Sequence, residues 1–231
     1  MGKRIIQQRR GKGSPTYRAN KKTFSIKVGY PDVEGVGKII EIIHSSAHNA
    51  PLAKIKVNDK VFYTIAPMYV YKGQTIEIGQ NAKPQVGNIL PLSKIPVGEN
   101  VFNIEILPYD GGKLARASSA KIVKKEEDGV VVLLPSKKEK KFPLLCRATI
   151  GIPAGLGRTE KPFVKAGNKW YKMKAKGKYY PRTSAVKMNV VNHPFGSGRG
   201  KHKKHKIAHW NAPPGAKVGL IRPRRTGRKK K

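Results

Sequence analysis

Acidic side chains are missing from both ends of this chain. None occurs in residues 1–31, which carry 9 basic residues, and none in residues 161–231, which carry 22. All 13 acids lie in residues 32–160 beside 18 basic residues, a net of +5 within a 231-residue chain whose formal charge is +36. Self-repulsion of that size opposes a compact state unless a polyanion neutralises it. Only the middle comes near to balancing its own charge. The ends read as basic arms that take up phosphates and fold on binding, which makes nucleic acid the leading partner class.

Cysteine is nearly absent too. Cys146 stands alone, which excludes an intrachain disulfide framework and a cysteine-based zinc cluster and fits a reducing compartment. Long apolar runs are lacking: the longest, Val130 to Leu134, is far too short to span a bilayer. The start, Met1 to Arg10, has no apolar stretch of signal-peptide length, and Ile6 stands where a myristoylation signal needs Ser or Thr. The expectation is a soluble, intracellular protein with no membrane partner. Hydrophobic residues reach 38%, below the globular average, so part of the chain is not core-forming. No 3.6-residue apolar period persists for three turns, which argues against long helices.

What the middle does contain is short strands. Lys38 to Ile43 is a β-branched run, and Ala53-Lys54-Ile55-Lys56-Val57 alternates before Asn58-Asp59 turns into Val61 to Ile65, a hairpin pattern. Thr75 to Ile78, Val101 to Ile106 and Ala120 to Val123 continue it, and Glu127-Asp128-Gly129 turns into Val130 to Leu134. Strands this short, punctuated by Gly and Pro, predict small barrels, with the Gly79–Pro91 stretch as their joint. In the C-terminal arm, Lys172, Lys174, Lys176 and Lys178 alternate. An extended backbone would put them on one face about 6.6 Å apart, able to follow a phosphate backbone. Trp170, Tyr171, Tyr179 and Tyr180 flank that row and would stack on bases, although Trp170 could equally seal a barrel edge.

Catalytic and metal-binding patterns were sought and fall short. Gly196-Ser197-Gly198-Arg199-Gly200-Lys201 suggests a phosphate loop, but Phe195 and His202 break the Walker spacing at both ends. His202, His205 and His209 could share a helical face, yet Lys201, Lys203, Lys204 and Lys206 would repel a cation there and no carboxylate follows residue 160. RNA contact is therefore the favoured role for that segment. His193 follows an amide, Asn192, and has no acid near it in sequence to orient it as a base.

Taken in order, several segments resemble the universal L-two protein family of the large ribosomal subunit, in its archaeal and eukaryotic branch. They are Gln8 to Ser14, Asn49-Ala50-Pro51-Leu52-Ala53, Gly111 to Ala117, Cys146 to Gly151, Val191-Asn192-His193-Pro194-Phe195-Gly196, Asn211 to Gly215 and Arg225 to Arg228. Each is weak alone; together they are specific and span essentially the whole chain. The resemblance implies an all-β protein, an OB-like barrel followed by an SH3-like barrel, with extended basic N- and C-terminal arms. The implied division is 1–36 for the first arm, 37–83 and 84–160 for the barrels, and 161–231 for the extension. It further implies a structural, non-enzymatic constituent of cytoplasmic ribosomes. Such a constituent binds large-subunit RNA and neighbouring ribosomal proteins near the peptidyl-transferase centre, supports assembly and subunit association, and touches the small subunit. No cofactor, metal or catalytic residue is expected.

The RNA-contacting set expected from the charge map and the resemblance has three parts. The first arm supplies Arg9, Arg10 and Arg18; the middle supplies Asn49, Lys54, Lys113, Arg116 and Arg147. The extension supplies Lys172, Lys174, Arg182, His193, Gly196, Gly198, Arg199, Lys201, Arg222, Arg224, Arg225 and Arg228. Three positions depart from the family pattern: Asn192 replaces an acid, Ser197 a glycine, and His48 an arginine. Two other classes compete with the ribosomal one, a basic chromatin-type binder and a zinc hydrolase built on the histidines.

If many phosphates are contacted, RNA affinity falls about 10³-fold or more between low and moderately raised salt. Deleting 196–231 is expected to flatten that slope more than any single lysine change; filter binding across a salt series measures both, and an unchanged slope would mean the extension neutralises no phosphate.

Overall fold

The computed structural model describes residues 2–19, 21–197, 207–208 and 211–221. The chain divides into two compact units, one of residues 20–168 and one that joins residues 1–19 to residues 169–231. The larger unit is all β. Its strands are β1 (Gly35–Ile43), β2 (Leu52–Val57), β3 (Lys60–Ile65), β4 (Thr75–Ile78), β5 (Ile89–Pro91), β6 (Asn100–Phe102), β7 (Ala120–Glu126), β8 (Gly129–Leu133), β9 (Glu139–Phe142) and β10 (Arg147–Ile150). They form one continuous sheet in the order β3-β2-β1-β4-β5-β10-β6-β7-β8-β9. The hairpin of β2 and β3 turns at Asn58, whose φ of 50° is one that asparagine tolerates well.

The sheet curls round two cores, giving the OB-like and SH3-like halves. Ile39, Ala53, Ile55, Val57, Phe62, Ile76, Ile78 and Ile89 fill the first. Leu90, Leu92, Ile95, Val101, Ile104, Ile122, Val130, Val132, Phe142, Cys146, Ala148 and Ile150 fill the second. Between them Phe102 packs with Ala50, Leu52 and Ile65. Because successive strand side chains point to opposite faces, Ile89 serves one core and Leu90 the other. Strand β5 pairs with β4 on one side and β10 on the other, so it belongs to both halves.

One expected strand stops early. Val101 to Ile106 alternates like a strand, but the strand ends at Phe102, Asn103 adopts a φ of 51°, and Ile104 makes only an isolated antiparallel bridge to Leu114. Val101 to Glu105 are all buried, so the segment is covered on both faces and has no alternate residues facing water. Glu105, with no exposed surface, faces Arg147 of β10. The pairing is bidentate: Nη2 of Arg147 donates to Oε1 at 2.9 Å and its Nε lies 3.2 and 3.3 Å from the two carboxylate oxygens. Backbone N–H groups of Arg147 (2.8 Å), Gly111 (3.1 Å) and Tyr109 (3.3 Å) also donate to Glu105. Every carboxylate lone pair thus has a donor, the condition under which a buried charge is tolerated.

This pair also anchors the incoming chain. Arg147 Nη1 donates to the Pro31 carbonyl at 2.7 Å, and Arg116 Nη2 donates to the Val28 carbonyl at 3.1 Å. Tyr30, between those carbonyls, donates its hydroxyl to the Asn103 carbonyl at 2.7 Å and lies 2.7 Å from Thr149 Oγ1. Burial drives the Tyr30 phenol well above its ordinary pKa, so it stays a neutral donor. Burial likewise pushes the Cys146 thiol up to about 11, which keeps it inert.

In the smaller unit the helices are α1 (Ile6–Lys12) and α2 (Ala166–Ala175), the latter beginning in the larger unit, with a short parallel pair, β11 (Ile207–Ala208) and β12 (Leu220–Ile221). Helix α2 corrects the extended course expected for the lysine row. No β-branched residue occurs from 166 to 180, while Lys, Met and Ala favour helix, so the local preference is helical despite the alternation. Helix α1 begins where the Ile5 N–H meets Gln8 Oε1 at 3.0 Å, and Arg9, Arg10 and Lys12 sit in its last turn, where the helix dipole favours cations.

Replacing Glu105 by Gln, or Arg147 by Met, leaves one buried group of the pair without its partner. Each variant is expected to lose about 3–5 kcal/mol, read as a lower urea midpoint at unchanged slope; a loss below about 1 kcal/mol would mean that the pair is not what holds the segment.

Candidate nucleic-acid interface

The described cations separate into those free to meet a ligand and those already engaged. In the larger unit Lys113 is exposed and lies 3.4 Å from Asp110; Lys54 is half-buried on β2, opposite Tyr63. Asn49 is exposed in the loop before β2, and its carbonyl lies where a Cβ on Gly155 would have to be, so the two loops touch backbone to backbone there. His48, at a departure from the family pattern, lies 2.8 Å by Nδ1 from Ser45 Oγ and packs edge-on against Phe24.

Two of the expected RNA-facing cations are placed differently. Arg147 keeps only 7% of its side chain exposed and is committed to Glu105 and Pro31, between the rings of Tyr30 and Tyr109 at 5.6 and 4.9 Å. Arg116 is half-buried, and its Nε donates to Asn103 Oδ1 (3.3 Å) and to the Gly112 carbonyl (3.0 Å), with Nη2 also on that carbonyl. A guanidinium with this many internal acceptors acts as a clamp on the chain. Their sequence surroundings, Leu145-Cys146-Arg147-Ala148 and Leu114-Ala115-Arg116-Ala117, are apolar, and that was the signal available for burial.

The smaller unit is where the other expected residues gather. Arg9, Arg10, Arg18, Lys174 and Arg182 are exposed, and Lys172 is half-buried. Within α2, Lys172 and Lys174 point about 200° apart, since each residue turns about 100°, so no single lysine face exists. Lys174 instead covers the Trp170 ring at 4.8 Å, and Tyr171 meets that ring edge-on at 4.9 Å; Trp170 remains 39% exposed. The helix closes at Gly177, φ 59°, where Lys178 N–H bonds the Met173 carbonyl and Gly177 N–H the Lys174 carbonyl. A Cβ there would sit 2.6 Å from Ala19 Cα. Glycine is required twice, for the left-handed turn and for the approach of the N-terminal segment.

The loop from Met188 to Ser197 is folded tightly on itself. His193 and Asn192 N–H groups both reach the Asn189 carbonyl, and Gly196 N–H reaches the His193 carbonyl at 2.8 Å. A Cβ on Gly196 would lie 2.3 Å from the Asn189 carbonyl carbon and oxygen, so only glycine fits. Ser197 holds a φ of 53°, a conformation glycine adopts more readily, but its Oγ accepts the Val190 N–H at 3.2 Å and offsets the strain. The loop is tied to the N-terminal segment by Lys3 N–H on the Val191 carbonyl at 2.8 Å. Asn192 is half-buried in this loop.

His193 is buried, its Nδ1 accepts the Phe195 N–H at 3.1 Å, and its ring lies 5.1 Å from the Phe195 ring. An Nδ1 that accepts cannot carry the proton, so the neutral ring is the Nε2–H tautomer. Burial lowers its pKa below the usual value. The side chain is therefore a fixed, uncharged donor through Nε2. Among the described residues no set of three or more His, Cys, Asp and Glu could hold a metal, and no helix is long and apolar enough to cross a membrane. His202, His205 and His209 lie outside the described residues, as do Gly198, Arg199, Lys201, Arg222, Arg224, Arg225 and Arg228.

Residues 85–211 match the family model described as Ribosomal Proteins L2, C-terminal domain. Proteins named large ribosomal subunit protein uL2 are similar along the full length. The one from Halorubrum lacusprofundi is 48% identical, covering 99% of this chain and 98% of its own. Those from Archaeoglobus fulgidus and Hyperthermus butylicus are also 48% identical, covering 98% and 100% of this chain and 99% and 100% of their own. The chain belongs to the ribosomal protein L2 family. For this L2 chain, exposed Tyr69 (91%) and Tyr71 (66%) were not singled out from sequence, although Met68-Tyr69-Val70-Tyr71 puts two aromatics in a loop with no alternation to bury them.

Nitrogen-detected NMR of His193 is expected to show the Nε2–H form near neutral pH and a midpoint below the usual value of about 6.5. A base with a lowered folded pKa stabilises the fold above its unfolded pKa and loses that stabilisation as pH falls through the folded value. Amide exchange of residues 189–196 should therefore quicken on acidification. A midpoint at or above 6.5 would overturn the buried-acceptor description.

Proposed function

We propose that this chain is a structural constituent of the large ribosomal subunit that binds ribosomal RNA. The observation that carries it is the pairing of full-length similarity to uL2 proteins with a compact unit holding 26 basic and no acidic residues. Such a unit cannot neutralise itself, and only a polyanion of high charge density matches it. The chain works in cytoplasmic ribosomes, among neighbouring ribosomal proteins and without a membrane partner, and contributes to assembly, to subunit association and to the surroundings of the peptidyl-transferase centre.

Its part there is to position RNA, not to carry out chemistry. A general base needs a fixed tautomer and an accessible lone pair on the proton-accepting nitrogen. His193 has the fixed tautomer, but the nitrogen with the lone pair is Nδ1, already occupied by the Phe195 N–H. What it offers outward is an N–H. The exposed cations Arg9, Arg10, Arg18, Lys113, Lys174 and Arg182, with Asn49 and Lys54, are the residues proposed to meet phosphate and sugar, together with those of the set in 198–228.

The test is co-sedimentation with large subunits through a high-salt wash, where the chain is expected to remain in stoichiometric amount; its loss would favour a chromatin-type binder. Complete large subunits carrying His193→Gln should form peptide bonds at a near-normal rate, and a large loss in the chemical step would restore a catalytic role to the protein.

A further inference from the structure

We propose that the smaller unit contains a receptor for a single unstacked nucleotide of an RNA strand, in the cleft lined by Arg10, Tyr17, Lys178, Tyr179, Arg182 and His193. The inference rests on the RNA-binding reading of the chain and narrows it to one cavity and one kind of RNA feature.

The cleft has a volume of about 900 Å³, at the upper end of the ~300–1,000 Å³ typical of small-molecule sites. It is built from both ends of the sequence: Arg10 and Tyr17 come from the N-terminal segment, the other four from the C-terminal one. The closeness of the segments is fixed by Gly177, which admits the Arg18–Ala19 backbone against it. Its chemistry is of three kinds. Tyr17 and Tyr179 meet at 5.8 Å with their planes at 44°, a tilted aromatic wall, and Tyr179 is 37% exposed. Tyr180 also borders the cleft but already has Lys169 over its ring at 5.3 Å, whereas among the described residues no cation lies over the rings of Tyr17 and Tyr179. Arg10, Lys178 and Arg182 are exposed cations at the cleft, and the unit has no acidic residue to pair with them. His193 presents a neutral donor, since its Nδ1 is taken by Phe195.

A base has a π face for the tyrosines and edge acceptors for a neutral N–H, while its phosphates suit the cations. A metal ion is refused by the cations, and a duplex is refused by the shape, because paired bases have no free face to give a cleft. A nucleotide bulged or looped out of its strand supplies all three features at once. A free mononucleotide shares the base and phosphate but lacks the flanking phosphates that the surrounding cations would hold.

Full-length protein is titrated with an RNA hairpin carrying a single-nucleotide bulge and with the same stem fully paired. The bulged hairpin is expected to bind more tightly. The double variant Tyr17→Leu with Tyr179→Leu is expected to lower its affinity about ten-fold, in line with stacking on aromatics, while leaving the paired stem unchanged. Arg182→Gln should reduce the salt slope for the bulged hairpin by about one. Wild type that binds both RNAs equally, with the tyrosine variants neutral, overturns the receptor and leaves the ribosomal reading standing. Wild type that binds neither RNA overturns both. Displacement of the bulged hairpin by a free nucleoside monophosphate at matching concentration overturns it in favour of a soluble-nucleotide site. Should the tyrosine variants fail to fold, 4-thiouridine at the bulge is photocrosslinked to unaltered protein. Crosslinks within residues 10–17 and 178–193 support the cleft, and crosslinks confined to Tyr69 and Tyr71 overturn it.

Discussion

The buried Glu105–Arg147 pair ties together three parts of the larger unit: the segment before β1, the turn after β6, and β10. A carboxylate with no exposed surface and an arginine almost as deeply buried are costly to desolvate. The structure meets that cost by surrounding Glu105 with backbone donors from Tyr109, Gly111 and Arg147 and by turning the spare guanidinium nitrogen onto Pro31. Hydrophobic packing alone would allow the incoming segment to slide along the barrel. A charge pair with directed bonds allows one register.

The smaller unit is organised by the opposite circumstance, a surplus of charge with nothing to pair it. It has few buried apolar residues, Ile5, Ala208 and Val218 among those described, so its shape depends on backbone hydrogen bonds and on close glycine contacts at 177 and 196. Backbone geometry is insensitive to the long cationic side chains around it. That independence lets the unit carry cations and no acid while the loop around His193 keeps its form.

Much of the larger unit is legible in sequence because period-two alternation and Asn/Gly turns decide it locally; β4 coincides with Thr75 to Ile78 and the β2–β3 hairpin with its turn at Asn58. Legibility fails where one residue acts against its neighbours. Asn103 has the alternation of a strand residue yet adopts a left-handed backbone, and no local pattern announces that Glu105 just beyond it is buried against a partner 42 residues away. The lysine row failed for the reverse reason: the alternation is there, but Lys, Met and Ala favour helix and no β-branched residue opposes it. For the interface, composition shows where the basic residues concentrate along the chain, but charge counts carry no information about burial, so the buried Arg147 and half-buried Arg116 are not legible from them.

Strand β10 lies sixth across the ten-stranded sheet, between β5 and β6, but it is the last of the ten to be synthesised. While the chain is being made, β5 presents an unpaired edge from residue 91 to residue 147, and β6 presents one from residue 102 onward. The second core includes Cys146, Ala148 and Ile150, so the SH3-like half cannot close before that final insertion. The interval is a window in which exposed strand edges can recruit other chains, and the arrival of β10 closes it.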